Sequence, residues 1–138
     1  MMSKPTLIIY ETQTFSVGVD TFVESSSENN RAVAFEDDGE AGYFYAIDTS
    51  NNGSKILDGL HIYNVANVTD KHIPCLIKIL WTEDFEKAFL SINNYYHAMF
   101  DFNSHAGYCR NAFPETGSPW VKVKERRLTD ALIEEIQI

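Results

Sequence analysis

Between Cys75 and Phe102 the chain alternates short apolar runs with very short polar connections, and this most restricts its fold. Cys75 to Thr82 reads as a strand, Thr82-Glu83-Asp84-Phe85 as a turn, Lys87 to Ile92 as a second strand, Asn93-Asn94 as the next turn and Tyr95 to Phe102 as a third strand. Connections this short cannot carry a crossover, so neighbouring strands must run antiparallel, as a meander. Ala106 to Arg110 is placed to add a further short strand.

A second hairpin is written around an acidic turn. Arg31 to Thr49 holds two apolar, alternating runs on either side of Glu36-Asp37-Asp38-Gly39-Glu40, whose glycine can take a positive φ. After the turn, alternation puts Tyr43, Tyr45 and Ile47 on one face and Phe44 and Ala46 on the other. Leu7–Tyr10 and Phe15–Val23 read as strands, with Phe15, Val17 and Val19 on one face, while Glu24 to Asn30 has no apolar residue and reads as a loop. Thr49 to Ser54 reads as a turn. Lys55 to Gly59 is open to a short helical turn ended by the glycine, and Leu60 to Val68 alternates less regularly. Phe113 to Trp120, with two prolines, reads as an irregular loop. Thr129 is placed to cap a terminal helix whose Leu132, Ile133 and Ile136 share a face. These elements predict an α+β fold, predominantly an antiparallel sheet with a C-terminal helix, in one domain over residues 1–138.

Charge narrows the partners. The net charge is −9, and residues 1–70 hold eleven acids against three bases while residues 71–138 hold nine against eight. Such a field repels nucleic acid and anionic membrane and attracts a basic protein surface. Cys75 and Cys109, 34 positions apart and without a CxxC spacing, are expected as two free thiols. The apolar run Leu7–Tyr10 is too short for a secretory core or a membrane span, which points to the cytoplasm.

No pattern of catalytic residues stands out. There is no Gly-x-Ser-x-Gly elbow, and the Gly39-to-Gly42 stretch is flanked by acids that repel phosphate. The acidic turn lacks the ligand order of an EF-hand, so neither a metal nor a cofactor is expected there. His97, Asp101 and His105 are spaced to share a face of one continuous strand, but residues four apart on a strand are about 13 Å apart, too far for one ion unless the strand turns back near Asn103-Ser104. A cleft lined by His61, His97, Asp101 and His105, serving a small enzyme or a small-molecule binder, is the alternative reading. The main one is a non-enzymatic surface with Glu36, Asp37, Asp38, Glu40 and Tyr43 as its contacts, since carboxylates beside an aromatic suit a cationic protein.

Phe35 to Ala46, Ile56 to Val65, Trp81 to Asp84 and Gly107 to Arg110 together resemble a bacterial domain-of-unknown-function family of short single-domain proteins, over about residues 31 to 114. The resemblance implies a compact bacterial domain and carries no residue roles. With the acidic surface, small size and want of a catalytic signature, the expected function is that of an immunity-type protein that binds and neutralises a basic toxin, of the nuclease kind.

Overall fold

The computed structural model describes residues 6–27, 29–51, 53–111 and 118–137. Among them the strands are β1 (Leu7–Phe15), β2 (Thr21–Ser26), β3 (Arg31–Asp37), β4 (Ala41–Asn51), β5 (Gly53–Asn64), β6 (Cys75–Thr82), β7 (Lys87–Ile92), β8 (Tyr95–Asp101) and β9 (Ala106–Cys109). A 3-10 turn at Val65–Asn67 follows β5, and one helix, α1 (Asp130–Gln137), ends the chain. The strands form two sheets, β1-β6-β7-β8-β9 and β2-β3-β4-β5, with every neighbouring pair antiparallel. The α+β class with a dominant antiparallel sheet is therefore correct, and the meander from Cys75 onward is present strand by strand.

The two sheets close over one apolar layer because alternate residues of each strand face it. Val33, Phe35, Phe44, Ala46 and Leu60 come from the four-stranded sheet, and Ile77, Ile79, Trp81, Leu90 and Phe100 from the five-stranded one. Phe44 stacks on Phe100 at 5.2 Å, and the buried Trp81 donates its indole N–H to Ser25 Oγ at 2.9 Å, so the one polar atom of that ring is satisfied across the layer.

The outer face of the five-stranded sheet is covered as well. Leu80, Phe89 and Met99 lie under Leu128 and Ile133. The covering segment reaches them by pairing with β9: the Cys109 amide donates to Arg126 O and the Leu128 amide to Cys109 O, both at 2.9 Å. Arg126 then turns inward and forms an ion pair with Asp58 of β5 at 2.7 Å, both side chains 2% exposed. Gly107 makes room for it, since a Cβ there would stand 2.8 Å from the Asp58 carboxylate. Thr129 caps α1 as expected, accepting the Leu132 amide at 3.1 Å on Oγ1.

Several elements differ from the sequence reading. Phe15–Val23 is not one strand: a turn at 16–20, with Gly18 at φ +90°, divides it, and Val19 is exposed instead of sharing a face with Phe15. Glu24–Ser26 belongs to β2 because its backbone pairs with Ala32–Ala34, although it carries no apolar side chain. Lys55–Gly59 is strand and not a helical turn, and the Thr49–Ser54 turn shrinks as β4 and β5 extend into it. Residues 113–117 of the proposed Phe113–Trp120 loop, and the side chain of Ile136, lie outside the described residues. Cys75 and Cys109 are both free thiols. No helix among the described residues is long and apolar enough to cross a membrane.

Candidate functional site

The outer face of the four-stranded sheet is built from cross-strand rungs. Phe22 on β2, Glu36 on β3, Tyr43 on β4 and His61 on β5 stand opposite one another in sequence, forming the rung nearest the β3–β4 tip. Glu24, Ala34, Tyr45 and Gly59 form the next. Large rings sit over small neighbours here. Tyr45 lies against Gly59, where a Cβ would meet its ring at 3.2 Å, and Ala34 beside it is fully buried. Tyr43 stacks on Tyr45 at 5.9 Å and meets the His61 ring at 5.3 Å, while Phe22 is 58% exposed. Tyr45 donates its hydroxyl to Glu36 Oε1 at 3.2 Å, and burial together with the Glu36 charge pushes its pKa up to about 12.

The tip itself separates the four expected carboxylates. Asp38 is exposed and accepts the Glu40 and Ala41 amides on Oδ1, both at 2.9 Å, which holds its carboxyl below the usual range. Glu40 is exposed beside it. Asp37 departs from the expectation that it is a surface contact, being 1% exposed. It shares strand parity with Val33 and Phe35, so it faces inward, where Oδ1 accepts the Gly39 amide at 2.8 Å and Oδ2 accepts the Gly18 amide at 2.8 Å and the Tyr63 hydroxyl at 2.7 Å. The period-two register carried that signal in the sequence. Between the tip and β2 lies a cavity of about 440 Å³ lined by Asp20, Thr21, Phe22, Glu36, Asp37 and Asp38. Phe22 and Asp20 thus join the surface without having been foreseen, and His61, expected in the alternative cleft, joins it too, because their place depends on which strands pair.

The four residues of the alternative histidine cleft are each held in surroundings of their own. His61 lies on the outer face just described, held by Tyr63 O at 3.2 Å. His97 sits on β8 where the β7–β8 register slips, and burial, helped by the Arg110 charge, lowers its pKa to about 4. Asp101 Oδ1 accepts the amides of Asn103 and Ser104 at 3.0 and 3.1 Å. The chain does turn back at this point, with Ala106 pairing opposite Asp101, and His105 stacks on Trp120 at 4.8 Å. Among the described residues no three His, Cys, Asp or Glu side chains are grouped to hold a metal ion.

Residues 15–137 match a family described as "Uncharacterized protein conserved in bacteria (DUF2251)". A Haemophilus influenzae protein described as an uncharacterized protein is 48% identical over 84 residues, which cover 61% of this chain and only about half (52%) of that protein's length. No solved structure matches the chain. With the family matched over nearly the whole sequence, the chain belongs to the bacterial DUF2251 family.

Proposed function

We propose that this chain is a non-enzymatic binding protein of the bacterial cytoplasm, and that the outer face of its four-stranded sheet takes up a cationic protein surface. The supporting observation is the rung Phe22-Glu36-Tyr43-His61, which sets aromatic rings and a carboxylate side by side, with Phe22 58% exposed. Among the described residues Glu36, Asp38 and Glu40 form no ion pair with a lysine or arginine of their own chain, so their charge is available to a partner. The cavity between Phe22 and the Glu36 and Asp38 carboxylates suits an incoming Lys or Arg side chain, whose cation gains from both ring and charge. An immunity-type role fits this chemistry: a nuclease toxin must carry a basic surface to hold its substrate, and a negative aromatic face competes for that surface.

The test is a charge reversal, Glu36→Lys with Glu40→Lys, leaving Asp37 and Asp38 untouched because backbone amides of the tip depend on both. A cationic partner is captured from the native cell with the wild-type protein and then purified, and association is followed by stopped flow at low and physiological salt. The reversal lowers the low-salt association rate at least about tenfold, with circular dichroism unchanged. Equal rates for the two proteins refute the proposal.

A further inference from the structure

At the opposite end of the β3–β4 hairpin from the acidic tip, a second cavity of about 390 Å³ opens, and its chemistry differs from the first. Arg31 begins β3 and stands directly opposite Asp48 on β4. The Arg31 guanidinium lies 5.4 Å from the Phe102 ring centre, and its Nη1 donates to Phe85 O at 3.3 Å. Among the described residues no carboxylate comes within ion-pair distance of it. Asp48 accepts the Ser50 amide on Oδ1 at 2.8 Å, and the Ser50 hydroxyl and the charge of Lys55, opposite it on β5, also hold its carboxyl below the usual range. The wall is aromatic: Trp120 stacks on His105 at 4.8 Å and meets Phe102 edge-on at 5.8 Å. His105 Nδ1 lies 3.0 Å from Trp120 O; a carbonyl only accepts, so Nδ1 carries the hydrogen and the ring is fixed in place.

We propose that this cavity is a binding site for a free aromatic α-amino acid, with its carboxylate on Arg31, its ammonium on Asp48 and its ring against Trp120 and His105. Directly opposed residues of an antiparallel pair are about 5 Å apart, so a cation and an anion stand side by side without being paired to each other. A ligand carrying only a carboxylate meets repulsion from Asp48, and one carrying only an amine meets repulsion from Arg31. A zwitterion satisfies both, and a flat side chain uses the wall. The volume is at the small end of ligand pockets, in keeping with a single amino acid. Nucleotides are disfavoured by Asp48 and by the net charge of −9. This site does not depend on the protein-binding face, which lies at the other end of the hairpin.

The full chain is titrated with L-phenylalanine and followed by amide and indole N–H chemical shifts, with 3-phenylpropanoate and 2-phenylethylamine as probes lacking the ammonium or the carboxylate. L-Phenylalanine gives saturable shifts confined to Arg31, Asp48, His105 and the Trp120 indole, and each truncated probe binds at least about tenfold more weakly. Arg31→Gln and Asp48→Asn each weaken L-phenylalanine about tenfold. Asp48→Asn keeps the test valid if the loss of Arg31 alters the fold, which thermal melting reports. The proposal is overturned if about 10 mM L-phenylalanine gives no saturable shift, if either truncated probe binds as well, or if Asp48→Asn binds like the wild type.

Discussion

The two outward faces of the sandwich are finished in different ways. On the five-stranded sheet, Leu80, Phe89 and Met99 are sealed beneath Leu128 and Ile133, and the segment that seals them is stitched to β9 and anchored by the Arg126–Asp58 pair. On the four-stranded sheet Phe22 is 58% exposed, and Tyr43, Tyr45 and His61 are half-buried, held by one another, by hydrogen bonds to Glu36 and Tyr63 O and by small residues beneath. Both faces carry aromatic and aliphatic groups in the same period-two pattern. What separates them is the neighbouring chain: one face has been given its cover from within the molecule, and the other presents comparable groups to the outside, rimmed with carboxylates.

That contrast can be broken first at its anchor. Asp58→Ala leaves Arg126 buried with no counter-charge, and Arg126 Nε and Nη1 already lack hydrogen-bond partners. The expected loss is about 4 kcal/mol in chemical denaturation, and replacing both residues by apolar ones recovers most of it. Leu128→Ala removes the cover itself and costs about 3 kcal/mol by the same measurement. Acid weakens the covered sheet. His97 stays neutral in the fold down to about pH 4, so as pH falls below 6.5 the unfolded chain takes up a proton that the folded one refuses. Stability therefore drops by roughly 2 kcal/mol between neutral pH and about pH 4.5 from this residue, and His97→Gln flattens that part of the profile. Phe22→Ala, on the open face, changes stability by less than about 0.5 kcal/mol. A large loss there would mean that the face is part of the protein's own core.

The difference between the faces was only partly legible in the sequence. The meander could be read because its turns are short and its alternation is local. Asp58 and Arg126 gave no sign of each other, being 68 positions apart and brought together only when β9 and β5 meet at one edge. Ser25 and Ser26 looked like loop because strand character there comes from pairing with β3 and from the Trp81 indole, not from their own side chains. Gly59 looked like a helix stop, whereas its missing side chain is what lets the Tyr45 ring lie flat against β5. At the candidate site, Glu36 and Tyr43 were visible as near neighbours on a hairpin. Phe22 and His61 join them from strands whose partners the sequence does not name, and Asp37 was misplaced by counting carboxylates without tracking which way alternate residues point.

The Asp37 carboxylate gathers donors from three separate parts of the chain, the turn at 16–20, the hairpin tip and β5. With these tied to one point, Asp38 and Phe22 keep a set spacing before anything arrives. An incoming molecule need not freeze a wandering loop, so the entropy that association usually removes from a flexible contact has already been given up during folding. The docking proposed for this side then requires no rearrangement of the backbone.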